Sequence, residues 1–292
     1  MESTALPPLP GGDGEHHQPG PTRTVGLPTA PVVVERRLGT RTAVFLHGFS
    51  FDRRMWDCVT SAVDPRLDLF VLDLPGFGEA PVPTEAAAPT DAVISALDAV
   101  GIGRVDLIGH SYGGEVALSV ALAHPRRVSS LTLIGSGLTG FPTSRGWQEH
   151  MAHVRAEVHR AGAEAGLEAW RSHPNFRPGH GDLRTRLVAL TDRYTGWHWT
   201  NPELVKPLQP SIDLLHGVSV PTLVMVGEDD TTQALDMAAE LASGIPDARL
   251  IRLPGVGHVP PVEDAARVAK EIDRFLAEQP AQMHHHENGH TK

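Results

Sequence analysis

The chain has 292 residues, 40% hydrophobic and 21% charged, with a formal net charge of −10 at pH 7. This is the composition of a folded globular protein, and the acidic balance offers no attraction to nucleic acid or to an anionic membrane surface. The single cysteine, Cys58, rules out an intramolecular disulfide framework and suits a reducing, cytoplasmic compartment, where it reads as a small buried hydrophobe.

Residues 1–30 are rich in Pro, Gly and Thr, carry the pair His16-His17 and lack the apolar core of a secretory signal; they read as a disordered lead-in. Strand-like and helix-like segments then alternate. Val32-Val33-Val34 leads to a Gly39-Thr40 turn, Ala43 to Leu46 reads as a short buried strand, Arg53 to Val63 as a helix and Leu67 to Leu72 as a strand. Thr90 to Val100 has helical spacing, with Thr90 as N-cap and Gly101 as the stop. Arg104 to Ile108 is strand-like, Glu115 to Ala123 helix-like and Ser130 to Ile134 strand-like. Short apolar runs separated by helices imply parallel strands covered on both faces, an α/β sheet.

From about Gly140 to Gly217 the strand pattern gives way to helical stretches, Trp147 to Ala163 and Leu183 to Tyr194. Four of the five tryptophans are here: Trp147, Trp170, Trp197 and Trp199. Strands resume at Pro221 to Val226 and Ala248 to Leu253, and a helix from Asp264 to Ala277 closes the domain. The organisation expected is therefore a core of residues 31–139 and 218–278, a helical cap insertion at 140–217 and a flexible tail at 279–292. That tail carries His284, His285, His286, Glu287 and His290, but nothing around them would hold a metal geometry. No uninterrupted apolar run is long enough to span a bilayer.

The chemistry centres on Gly109-His110-Ser111-Tyr112-Gly113-Gly114, a Gly-x-Ser-x-Gly pattern between a strand and a helix. In that context it reads as a nucleophile elbow, in which the glycines permit a turn too tight for a Cβ. A serine hydroxyl needs a base, and the base needs a third group to hold it. Gly227-Glu228-Asp229-Asp230 follows one late strand and Gly257-His258 the next, at the strand ends where open α/β sheets build their sites. His258 is the candidate general base. Asp230 is the favoured acid by its spacing from the strand, with Asp229 as the alternative. An oxyanion hole would take the backbone N–H of Tyr112, after the nucleophile, and of Phe49, in the loop Leu46-His47-Gly48-Phe49.

Together Phe45 to Phe49, Asp73 to Gly78, Gly109 to Gly114, Gly227 to Asp230 and Gly257-His258 resemble the α/β-hydrolase superfamily, in its esterase, lactonase and haloperoxidase-like branch. The resemblance implies an α/β-hydrolase fold: a mostly parallel sheet flanked by helices, with a helical cap. It also implies a Ser111–Asp230–His258 triad, no metal and no organic cofactor, with Asp73 to Gly76 as a structural turn. The loop Gly78 to Pro89 departs from the family in having Glu79-Ala80 where Arg-Ser is usual.

A serine nucleophile excludes the haloalkane dehalogenase and epoxide hydrolase branches, which displace at alkyl carbon with a carboxylate. The leading expectation is hydrolysis of a small carboxylic ester or lactone through an acyl-enzyme. The alternatives are cleavage of a carbon–carbon bond in a diketone-like or ring-cleavage substrate, and a hydrolase-fold small-molecule receptor. His47, Trp147, Trp170, Trp197 and Trp199 are candidate pocket residues for a small-molecule substrate, although each tryptophan could instead pin cap helices to the core.

Overall fold

The computed structural model describes residues 34–37, 41–86, 88–176 and 181–279. The lead-in, the Gly39-Thr40 turn and the histidine-bearing tail lie outside the described residues.

Seven strands form one sheet: β1 (Val34–Arg37), β2 (Arg41–Leu46), β3 (Leu67–Leu72), β4 (Val105–His110), β5 (Val128–Ile134), β6 (Thr222–Gly227) and β7 (Ala248–Leu253). Their order across the sheet is β1-β3-β2-β4-β5-β6-β7. β1 runs antiparallel to β3, and every other pairing is parallel. β3, β4 and β6 are buried along their whole length, as strands covered on both faces must be. β7, at the edge, is mostly half-buried.

The flanking helices are α1 (Asp57–Ala62), α2 (Pro89–Ala99), α3 (Tyr112–Ala123), α8 (Thr232–Gly244), the short α9 (Pro260–Glu263) and α10 (Ala265–Ala277). α1 packs on α10, α2 on α3, and α8 on β6 and β7. Between β5 and β6 the chain leaves the sheet for α4 (Arg145–Ala161), α5 (Ala163–Arg171), α6 (Gly181–Ala189) and α7 (Trp197–Thr200). Among the described residues no helix is long and apolar enough to cross a membrane.

Several boundaries differ from the sequence expectation. The stretch from Arg53 divides into a 3-10 turn, Arg53–Trp56, and α1, because Asp52 caps the turn through Arg54 N–H. α2 begins at Pro89 with Ala88 before it, so Thr90 lies inside the helix; proline fits the first helical position because its missing N–H would be unpaired there. The helix expected over Trp147 to Ala163 ends at Ala161, before Gly162 with φ 87°, and α5 had no counterpart in the sequence reading. α8 had no counterpart in the sequence reading, although Thr231 caps it by accepting from Ala234 N–H and it is rich in alanine. Cys58 is only half-buried and lies against the Arg186 guanidinium, 2.8 Å away, so it is not the enclosed hydrophobe expected.

Candidate active site

β4 delivers His110 and α3 starts at Tyr112, so Ser111 alone makes the turn between strand and helix. Its backbone pays for that sharpness with φ 50° and ψ −115°, a region L-residues rarely adopt. The strain is held from both sides. Ser111 N–H donates to Ile134 O at 3.0 Å, and Ser111 O accepts from Gly114 N–H at 2.9 Å and Glu115 N–H at 3.1 Å. The neighbouring glycines are required by contact. A Cβ on Gly109 would strike the backbone of Gly113 and Gly114, one on Gly113 the carbonyls of Leu46 and His47, and one on Gly114 the side chain of Ser136.

Ser111, His258 and Asp230 lie in one hydrogen-bonded chain. His258 Nε2 is 3.2 Å from Ser111 Oγ, and His258 Nδ1 is 2.8 Å from Asp230 Oδ2. Asp230 Oδ1 accepts from Thr231 N–H at 2.6 Å. Asp229 is exposed, so the choice between the two acids falls to Asp230. Burial opposes charge on both members of the pair, yet their mutual attraction outweighs it. Asp230 is held below its ordinary value by His258 and Thr231, and His258 is raised above its own by Asp230 and, more weakly, Glu263.

Two residues outside the sequence expectation fix the His258 loop. Glu263 accepts from Gly257 N–H at 2.8 Å and Val259 N–H at 2.7 Å, bracketing the histidine. His110 Nε2 donates to His258 O at 2.8 Å from a fully buried position. Burial, reinforced by the neighbouring His258, pushes His110 down to about 3, so it acts as a neutral strut. A glutamate five residues after a candidate catalytic histidine is too ordinary a pattern to have singled out Glu263.

A cavity of about 610 Å³ opens over Ser111 and His258, within the usual range for a small-molecule site. Phe49, Tyr112, Phe141, Trp147, Met151 and Trp170 form much of its apolar wall. Trp170 also donates its indole N–H to Ser50 Oγ at 2.8 Å, tying α5 to the loop after β2. Ser50 has φ 66° and directly follows Phe49, so this bond braces the loop at a strained point. Neither Phe49 N–H nor Tyr112 N–H has a protein acceptor among the described residues.

Three expected pocket residues lie elsewhere. His47 is fully buried, where Nδ1 donates to Gly48 O and Nε2 accepts from Leu74 N–H, both at 2.9 Å. Its hydrogen-bonding capacity is spent joining the β2 and β3 loops. Trp197 packs over Gly76, against the Asp73 to Gly78 turn. Trp199 packs edge-on to Tyr194 at 5.0 Å and lies against Gly166 and Gly196, among the helices between β5 and β6. In the turn itself, buried Asp73 accepts from Arg53 N–H, the Arg53 guanidinium and Glu79 N–H at 2.6–3.0 Å.

Residues 43–271 match the model of the alpha/beta hydrolase family. Over 221 residues the chain is 30% identical to a 2-hydroxymuconate semialdehyde hydrolase of Pseudomonas putida, covering 70% of this chain and 75% of that protein. A thermophilic esterase from Thermogutta terrifontis superposes with a TM-score of 0.72 at 26% identity, covering 84% of this chain and 93% of the esterase. The enol-lactonase from Burkholderia xenovorans shares the fold, with a TM-score of 0.73 at 21% identity over 88% of this chain and 100% of that one.

Proposed function

We propose that this chain, which belongs to the alpha/beta hydrolase family, is a serine hydrolase that cleaves a small carboxylic ester or lactone through an acyl-enzyme. The observation that carries this reading is the unbroken chain from Ser111 Oγ through His258 to Asp230, whose first two members line the cavity. Neutral His258 takes the Ser111 proton through Nε2 as Oγ attacks the carbonyl carbon. Asp230 keeps Nδ1–H in place and stabilises the imidazolium that forms. The oxyanion of the tetrahedral intermediate is received by the N–H groups of Phe49 and Tyr112, with the N-terminus of α3 adding its dipole. His258 then returns the proton to the leaving alkoxide, and water repeats the sequence on the acyl-enzyme. The helices between β5 and β6 act as a cap that walls off this step and shapes the acyl or alcohol pocket.

Carbon–carbon bond hydrolysis is the second reading, favoured by the likeness to the Pseudomonas putida hydrolase. A panel of p-nitrophenyl esters, lactones and ring-cleavage diketones separates the two. The ester reading expects turnover of p-nitrophenyl acetate, with Ser111→Ala lowering kcat on the order of 10⁴-fold or more. An undiminished rate in that variant would overturn the reading.

A further inference from the structure

One side chain in the cavity wall has no part in the chemistry above. Glu115 sits on the first turn of α3, one helical turn past Ser111, and its N–H donates to Ser111 O at 3.1 Å. Its carboxylate lines the same cavity as Ser111 and His258 and packs so tightly against Gly137 that a Cβ there would overlap it. Among the described residues that carboxylate accepts no hydrogen bond and meets no cation. No lysine or arginine is among the residues lining the cavity, whose other polar groups are chiefly hydroxyls and amides from Thr143, Ser144, Asn175, Thr232 and Gln233.

The side chain is only partly buried, and with no protein partner its carboxylate is left to pair with whatever enters the cavity. Much of its apolar wall is aromatic: Tyr112, Phe141, Trp147 and Trp170. A lone carboxylate among aromatic faces is the chemistry that holds an alkylammonium cation, by charge on one side and by ring quadrupoles on the others. The same carboxylate, with no basic residue beside it, repels a substrate carrying its own carboxylate.

We propose that Glu115 is a specificity-determining residue that selects substrates bearing a cationic ammonium group near the scissile bond and rejects anionic ones. Burial holds the Glu115 carboxyl up to about 7, so the cation site is switched on as pH rises past neutrality. The titratable groups sharing the cavity are Tyr112 on the same helix, His258 from the loop after β7 and His173 from the turn after α5. Burial keeps the Tyr112 phenol protonated, and burial together with neighbouring histidines holds His173 neutral at about 4. The segments before α4 and at the start of α8 present no titratable side chain to the cavity.

The kinetic test rests on the acyl-transfer reading; a binding measurement does not. The p-nitrophenyl esters of 4-(trimethylammonio)butanoate and 5,5-dimethylhexanoate have the same shape and differ in charge. The wild type is expected to favour the cationic ester in kcat/KM by about tenfold, and Glu115→Gln to lose that preference. In the wild type the preference should also grow as pH rises through about 7, and His258 cancels from the ratio because both esters use it. Calorimetry with benzyltrimethylammonium should show binding to the wild type that weakens about tenfold in Glu115→Gln. Equal kcat/KM for the two esters, or a preference unchanged in Glu115→Gln, overturns the inference. If neither ester is hydrolysed, the serine hydrolase reading fails and calorimetry alone decides: equal affinity in both proteins overturns the role of Glu115, and the weakened binding supports it.

Discussion

At the scale of single residues, the site is governed by which groups hold a charge. In the proposed reaction His258 must be neutral to take the Ser111 proton, but Asp230 raises its proton affinity above the ordinary histidine value of 6.5. Protonation removes the base, so activity is lost as pH falls. The acid limb of kcat/KM is therefore expected above 6.5, and a pH–rate profile on a neutral ester reads it directly. Asp230→Asn should move that limb downward as well as lower kcat, since the attraction that raises His258 is gone. A limb lying below 6.5 in the wild type would contradict the coupling. His258 and Ser111 could be named from the sequence because the motif and chain order are demanding. Glu115, Glu263 and His110 could not, because nothing local marks an unpaired carboxylate, a loop clamp or a neutral strut.

At the scale of elements, the elbow depends on close approach between backbones that are remote in sequence. β4 lies beside β2, so the start of α3 is pressed against the carbonyls of Leu46 and His47. Gly113→Ala puts a methyl group into those carbonyls, where no rotamer can relieve it. The variant is expected to lose about 3 kcal/mol of stability, measured by denaturant unfolding. Ser111 in it should also label more slowly with a fluorophosphonate, because the elbow must shift to admit the methyl group. The parallel strands were legible as apolar runs because both their faces are covered. Helix ends were less so: Pro89 could start α2 where Thr90 looked the better cap, and α5 follows α4 after Gly162 alone, too closely to be told apart as a second helix.

At the scale of the molecule, long-range ties hold the sheet to its closing helix and the helices between β5 and β6 to the loops after β2 and β3. Arg41 on β2 pairs with buried Asp106 on β4, through Nε at 2.5 Å and Nη2 at 2.9 Å. It also reaches Leu276 O at the end of α10, at 2.6 Å. Arg41→Met would remove both guanidinium bonds to buried Asp106 and the tie to Leu276 O, with Ser130 Oγ still donating to Asp106 at 2.7 Å. The expected cost is about 3 kcal/mol, seen as a fall in Tm of roughly 6–12 °C with the site otherwise intact. Between the loops after β2 and β3 and the segment after α6, Arg54 pairs with Asp192 and Arg193 with Glu79, both at 2.7 Å, and Phe77 stacks on Tyr194 at 5.2 Å. The exposed ends of these ion pairs lie in water and contribute little, so Trp170 and the aromatic contacts carry most of the attachment.

Local sequence determined the alternation of strand and helix, the family and the order Ser111, Asp230, His258. Each of these rests on short-range patterning: apolar runs, glycine spacing and acids or histidines placed just after strands. Spacing favoured Asp230 over Asp229 but left both open; the structure sets Asp230 against His258 and leaves Asp229 exposed, because one residue's difference along a loop is a question of which side chain reaches His258. Tertiary structure also drew the cavity wall, keeping Trp147 and Trp170 and sending His47, Trp197 and Trp199 to packing roles. The four tryptophans have the same chemistry, and only the way α5 and α7 pack settles which of them meets the cavity. Above all it set Glu115 beside Ser111 without a partner, which no sequence shows, since a missing counter-charge is a property of everything folded around the residue.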